Sequence, residues 1–147
     1  MRKKMIVRFY DDADDALLKF AVIIAKSNGK WVFCKHKERE TLEIPGGHRE
    51  IGEDIFETAK RELVEETAAA DFKIKPICVY SVTGKNRVNK TGEESFGMLY
   101  YAEIISFGGK PESEIEKVAL LDDMPKNWTY PLIQPLLIKE FQRRSNI

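Results

Sequence analysis

The chain has 147 residues, 43% apolar and 33% charged, and its 24 basic and 24 acidic side chains leave a formal net charge of zero. That length can bury a real core without disulfide or metal staples, and the mix excludes a disordered or membrane-spanning chain. With no basic excess, a nucleic-acid polymer is a poor partner, and any polyanion must be held at a local site with help from a cation.

The opening MRKKMIVRFYDD is basic, but its apolar stretch is too short for a signal peptide. The longest apolar run, Phe20 to Ala25, cannot span a bilayer. Cys34 and Cys78 fit no CxxC or disulfide framework and read as buried free thiols, which suits a reducing cytoplasm. No repeat, low-complexity tract or Pro/Gly/Ser linker divides the chain, so residues 1–147 are expected to form one domain.

KFAVIIAKSNGKWVFCKHK places β-branched and aromatic residues on both sides of Asn28-Gly29, which predicts a hairpin with a tight turn. A short strand from Leu42 to Ile44 and a glycine corner, Pro45-Gly46-Gly47, should follow. Helix formers without Gly or Pro fill the stretch from about Glu53 to Thr67, with Phe56, Ala59 and Leu63 spaced to make one buried stripe. Next come an extended region from Phe72 to Val82 interrupted by Pro76, a polar loop, TGKNRVNKTGEES, and a strongly β segment, FGMLYYAEII. KVALL reads as a short strand after the turn at Gly108-Gly109. YPLIQPLLIKEFQRR reads as a terminal helix with an apolar stripe of Leu132, Leu136, Leu137 and Phe141. Strands with one central and one terminal helix predict an α/β or α+β domain, a curved mixed sheet covered by helices.

On a helix advancing ~100° per residue, Glu62, Glu65 and Glu66 share an arc of about 100° beside the apolar stripe. Carboxylates so placed raise the cost of ionising one another. A solvated helix face tolerates this. A divalent cation relieves it better, and hard oxygen ligands suit Mg²⁺ or Mn²⁺.

From Gly47 the chain runs Gly, five residues, Glu53, seven residues, Arg61-Glu62-Leu63, one residue, Glu65-Glu66. This resembles the signature of the Nudix hydrolases, G-x5-E-x7-R-E-U-x-E-E-x-G-U with U a bulky aliphatic residue. EIPGG resembles the family's lead-in. The last two positions depart, with Ala68 in place of the glycine and Ala69 in place of the aliphatic residue. An alanine in the left-handed conformation costs ~1 kcal/mol or more, so TAAAD is expected to extend the helix by part of a turn and leave it near Asp71.

The resemblance implies a Nudix-type α/β/α sandwich with a catalytic loop-helix-loop. It implies Glu65, Glu66 and the Gly47 carbonyl as metal ligands, Glu62 as a ligand or as the base that activates water, Arg61 as the ion-pair partner that orients it, and Glu53 as support from the helix start. Many members draw another acid from a later loop. Glu112, Glu114 and Glu116 are the candidates, with Glu114 preferred. Mg²⁺ is the implied cofactor, with Mn²⁺ as substitute, and the implied substrate is a small nucleotide: a nucleoside diphosphate linked to a further group.

GKWVFCKHKERETLEIPGG is similar to the branch that converts nucleoside triphosphates, including oxidised purine nucleotides, to monophosphate and pyrophosphate. ADP-ribose, nucleotide sugars and dinucleoside polyphosphates remain alternatives, as does a non-catalytic nucleotide-binding module. The resemblance also suggests a homodimer. Trp31, Phe33, Tyr80 and Trp128 are candidates to stack a base, and Asn127 to read a purine edge. His48, Lys37, Arg39, Lys85, Arg87 and Lys90 are candidates for an anion-steering rim, and His36 reads as a strand-end residue.

Overall fold

The computed structural model describes residues 5–86 and 89–145. Among these described residues, seven strands form one mixed sheet: β1 (Ile6–Tyr10), β2 (Leu18–Ser27), β3 (Lys30–His36), β4 (Gly46–His48), β5 (Ala69–Thr83), β6 (Ser95–Phe107) and β7 (Ile115–Leu121). Two α-helices complete it, α1 (Ile55–Thr67) and α2 (Gln134–Ser145), with one 3₁₀ turn over Asp15–Leu17. The strand order is β1-β5-β6-β2-β3-β7, with β4 also paired to β2. All of these neighbours are antiparallel except the central pair, where β2 and β6 run parallel with Ile23 beside Tyr100.

Period-two alternation along β2 sends its side chains to two separate cores. Ala21, Ile23 and Ala25 pack with Ala59 and Leu63 of α1 and with Tyr100, Ala102 and Ile104 of β6. Val22 and Ile24 pack on the opposite face with Trp31, Phe33 and Leu99 and with Leu137, Ile138 and Phe141 of α2. A helix therefore covers each face, which is the α/β/α sandwich expected from the sequence. Asn28 and Gly29 turn the β2–β3 hairpin at φ 51° and 79°, and Cys34 and Cys78 are buried and unbridged.

Several local expectations need correction. The strand placed at Leu42–Ile44 is reduced to isolated bridges, Cys34 with Glu43 and Leu42 with Trp128, and the pairing segment is the glycine corner itself as β4. Pro76 does not break β5. It sits opposite Tyr100, and the pairing register shifts between it and Cys78, which lets the strand bend and continue. Phe56 is exposed at the start of α1, where Lys60 lies 4.7 Å from its ring centre. Leu132 and Leu136 are likewise exposed, and the buried stripe of α2 is Leu137, Ile138 and Phe141. Pro135 falls in the first turn of α2, where its missing N–H costs nothing. Strand β1 carries no sequence signal strong enough to announce it. Its segment is short, and it forms an edge by pairing with residues 79–83.

Helix α1 opens on a capping box, with Asp54 accepting from the Glu57 N–H at 2.8 Å and Glu57 accepting from the Asp54 N–H at 3.2 Å. It does not run on toward Asp71. It stops at Thr67, and Ala68 takes the left-handed cap itself at φ 63°, ψ 26°. Packing overrides the local penalty, because β5 must start at Ala69 and the Ala68 carbonyl accepts from the Gly108 N–H at 2.8 Å. Ala68→Gly should relieve that strain and stabilise the protein by about 0.5–1 kcal/mol, minus whatever the methyl group contributes by packing. Urea unfolding would check this, and an unchanged or lowered midpoint would show that the cap is unstrained.

Candidate active site

The acids of α1 meet the glycine corner because β4 is stitched to β2, with Gly47 opposite Ala21 and Gly46 opposite Val22. Both glycines are required by close approach. A Cβ on Gly46 would lie 2.6 Å from the Ala21 carbonyl oxygen, whereas one on Gly47 would overlap the Glu62 carboxylate. The two substitutions should therefore separate. Gly46→Ala presses on backbone and should cost about 1–3 kcal/mol of stability. Gly47→Ala displaces a side-chain end, so it should leave melting nearly unchanged and reduce turnover by about 100-fold. Paired thermal melts and initial rates test this, and equal effects of both variants on stability would refute it.

Arg61 is the hub of the site. Its Nε donates to Glu53 Oε2 at 2.5 Å, and its Nη2 donates to Glu53 Oε1 at 3.1 Å and to the His48 carbonyl at 3.0 Å. Its Nη1 reaches Glu62 Oε2 at 3.1 Å and Glu65 Oε1 at 3.2 Å. Glu53 also accepts from Thr58 Oγ1 at 2.8 Å and from the Glu50 N–H at 3.0 Å. With the guanidinium as the main cause, this holds the Glu53 carboxyl at about 2. The same contacts push Arg61 upward. Glu53 is thus saturated within the protein and acts as an anchor.

Glu62 is the opposite case. Burial, then repulsion from Glu66, pushes its carboxyl up to about 7, although Arg61 opposes this. Glu66 is 6% exposed and is also raised, first by burial. Its Oε1 accepts from the Gly46 N–H at 2.9 Å, and its Oε2 lies 3.5 Å from His36 Nε2. His36 Nε2 is shut off from solvent, makes no formed hydrogen bond, and is also 3.4 Å from Glu43 Oε2. Contact with Glu66 raises the His36 pKa, against the effect of burial. Arg39 closes this cluster at 2.6 Å from Glu43.

The available donors are hard carboxylate oxygens held on a rigid helix beside the paired glycine corner. Glu62 and Glu66 resist joint ionisation, and Gly47 leaves room for a carboxylate. Both features suit a small divalent cation. Among the described residues, no three His, Cys, Asp or Glu side chains already converge as a cage, because Arg61 rests on Glu62 and Glu65.

Of the three later-loop acids, Glu112 and Glu114 stand together near Glu65, and Glu116 faces elsewhere. The Glu112 N–H donates to the Glu65 carbonyl at 2.7 Å. Burial raises its carboxyl, followed by the charges of Glu114 and Glu65. Glu114 stands beside it, with its carbonyl accepting from the Lys37 N–H at 2.9 Å. Glu116 turns away to Lys35 at 2.7 Å.

A cleft of about 110 Å³ adjoins the acids and is lined by Val22, Glu43, Gly47, Tyr80, Tyr130 and Gln134 among others. Of the aromatic candidates, Tyr80 lines it. Trp31 packs on Phe141 and Phe33 on Trp128, both edge-on, and neither Trp31, Phe33 nor Trp128 is part of its wall. Asn127 is tied to the Glu40 carbonyl at 2.6 Å, and the amides of the cleft wall are Asn86 and Gln134. His48 lines the mouth with its ring against Phe20. Arg87 lies outside the described residues. Sequence reasoning missed His36, Glu43 and Gln134 as site residues, since only tertiary contacts bring them there.

The NUDIX domain model matches residues 16–131. The chain belongs to the Nudix family. Nudix proteins generally use a divalent metal ion and act on small nucleotide substrates. The chain is 31% identical over 110 residues to "Putative 8-oxo-dGTP diphosphatase YtkD" of Bacillus subtilis, a match covering 74% of this chain and 65% of that protein. The chain thus spans about two thirds of that relative's length. Among solved Nudix folds, a mutant of the Bacillus subtilis pyrophosphohydrolase BsRppH superposes with a TM-score of 0.76 at 24% identity, covering 96% of this chain and 91% of that one. A Nudix hydrolase from Nitrosomonas europaea gives 0.68 at 20% identity, covering 86% and 89%. At these identities the structural likeness bears on fold alone. No helix among the described residues is long and apolar enough to cross a membrane.

Proposed function

We propose that this Nudix protein is a Mg²⁺-dependent diphosphatase that converts a nucleoside triphosphate, oxidised purine nucleotides included, to monophosphate and pyrophosphate. The observation that carries the reading is the junction of the Arg61-centred acids with a largely apolar cleft. The YtkD relative's description supports the choice of substrate class.

When bound, the metal neutralises non-bridging phosphate oxygens and makes a water more acidic. Glu62, Glu65 and Glu66, packed against the Gly47 corner, are the residues to hold it. Glu112 is a better further donor than Glu114, because its carboxyl already senses Glu65 and Glu66. Glu62, poised at about 7, accepts the proton of the attacking water, and Arg61 fixes its orientation from the Glu53 anchor. The His48 carbonyl is tied to the same guanidinium, so the corner and the helix keep one geometry.

Pyrophosphate or phosphate release should be screened over nucleoside triphosphates, 8-oxo-dGTP, ADP-ribose, nucleotide sugars and dinucleoside polyphosphates. Each is run with Mg²⁺ and again with EDTA. Highest kcat/KM on triphosphates, lost with EDTA, is the expected result. Preference for another class would replace the substrate assignment, and no turnover of any would favour a binding module.

A further inference from the structure

Gln134 is unlike the other polar groups of the cleft. It is 6% exposed and opens α2 from the cleft wall. Its Oε1 accepts from the Ile44 N–H at 2.9 Å. A backbone N–H can only donate, so this bond settles which end of the amide faces Ile44. Ile44 is itself fixed. It is 3% exposed, and the residues on either side are hydrogen-bonded to neighbouring strands, Glu43 to Cys34 and Pro45 to Ile23. The Gln134 NH₂ group is the end that remains, and no acceptor among the described residues takes its hydrogens. The wall is largely apolar, with Val22, Ile44, Val82, Ile133 and Leu137, though Glu43, Asn86 and Ser95 also line it.

We propose that Gln134 is a specificity-determining residue that offers a fixed hydrogen-bond donor and selects a nucleobase carrying a keto oxygen over one carrying an exocyclic amine. This rests on the reading that a nucleotide base enters the cleft. A keto oxygen satisfies the donor. An amine sets donor against donor, and an unmet polar group in a largely enclosed cleft discriminates strongly. The amide cannot simply turn over to suit an amine, because the turned amide would point NH₂ at the Ile44 N–H.

Inosine and adenine nucleotides isolate the point, since both lack the 2-amino group and they differ at position 6 and the adjoining ring nitrogen. Calorimetric binding of deoxyinosine and deoxyadenosine monophosphates should be measured for wild type, Gln134→Met and Gln134→Glu. The corresponding triphosphates are compared as substrates in parallel. The wild type should prefer the inosine ligand by about tenfold or more. Gln134→Met should bring the ratio near one, and Gln134→Glu, with acceptors only, should invert it.

Equal or absent binding of the two monophosphates by wild type would overturn the proposal, even if neither variant folds. A preference that survives both substitutions would also overturn it. A Gln134-dependent binding preference without turnover of either triphosphate would sink the diphosphatase reading and leave this inference standing.

Discussion

Glu62→Gln is expected to remove nearly all turnover while making the protein more stable at pH 8. In the proposed mechanism Glu62 is the proton acceptor, a role worth about 100- to 10,000-fold in rate. Its folded carboxyl sits at about 7 against an ordinary value of 4.5. Between those values the folded state binds more protons than the unfolded state, so stability falls as pH rises through the window, and the full penalty is present above it. Glutamine has no such penalty. After allowing for the lost attraction to Arg61, the gain should be about 1–2 kcal/mol, or several degrees in melting temperature for a chain of this size. The two proteins should melt together near pH 4.5, where Glu62 is protonated in the folded protein, and diverge toward pH 8. Saturating Mg²⁺ should stabilise the wild type more than the variant. A variant less stable than wild type at pH 8 would contradict the strain assigned to this carboxyl.

Arg61→Ala is expected to damage both stability and activity. The side chain is 23% exposed and touches Glu53, Glu62, Glu65 and the His48 carbonyl. Its removal leaves those acids, with Glu66 behind them, facing one another without a cation. Breaking one member of a largely buried ionic cluster costs about 3 kcal/mol. Turnover should fall at least about 100-fold, because Glu62 loses its orientation.

The acid limb adds a separate signature. Glu53 is held at about 2 by Arg61, against an ordinary value of 4.5. A depressed carboxyl contributes stability above its unfolded value and loses it as pH falls through the folded one. The gap between wild type and Arg61→Ala should therefore be complete above about pH 4.5 and narrow toward pH 2. Arg61→Lys keeps the charge but lacks the fork that meets Glu53, Glu62 and Glu65 together, so it should rescue only part of either loss. If Arg61→Ala melts like the wild type, the hub does not hold the site.

Much of helix α1, with its candidate site acids, was legible from sequence because its information is local. The interval from Gly47 to Glu66 fixes one corner and one helix, whereas the capping box at Asp54 and Glu57 emerged only from the structure. The hairpin at Asn28-Gly29 was legible for the same reason. The two-helix, mixed-sheet class followed from periodicity.

What was not legible depends on distant partners. Nothing near His36 announces that Glu66, thirty positions on, will lie against its ring. Asn127 and Gln134 are both amides near the chain's end, and only the Ile44 N–H distinguishes the one that faces the cleft. Ala68 misled in another way. The local rule disfavours a left-handed alanine, but the start of β5 demands one. Phe56 has the right spacing for burial, yet in the first turn of α1 its ring rests between Tyr100 and the Lys60 ammonium and stays exposed.

The parallel pairing of β2 with β6 has a consequence for how the site comes into being. It joins residues 18–26 to residues 96–103, and β1 is closed by residues 79–83. Such non-local closure makes for slow folding. The glycine corner hangs on β2, and α1 rests on both β2 and β6, so the acids gather only after most of the chain has been laid down. Until then Glu62 and Glu66 stand in water with ordinary carboxylate behaviour. Their strained state should therefore be a late product of folding, and refolding followed through the ionisation of Glu62 should lag behind refolding followed through helix content.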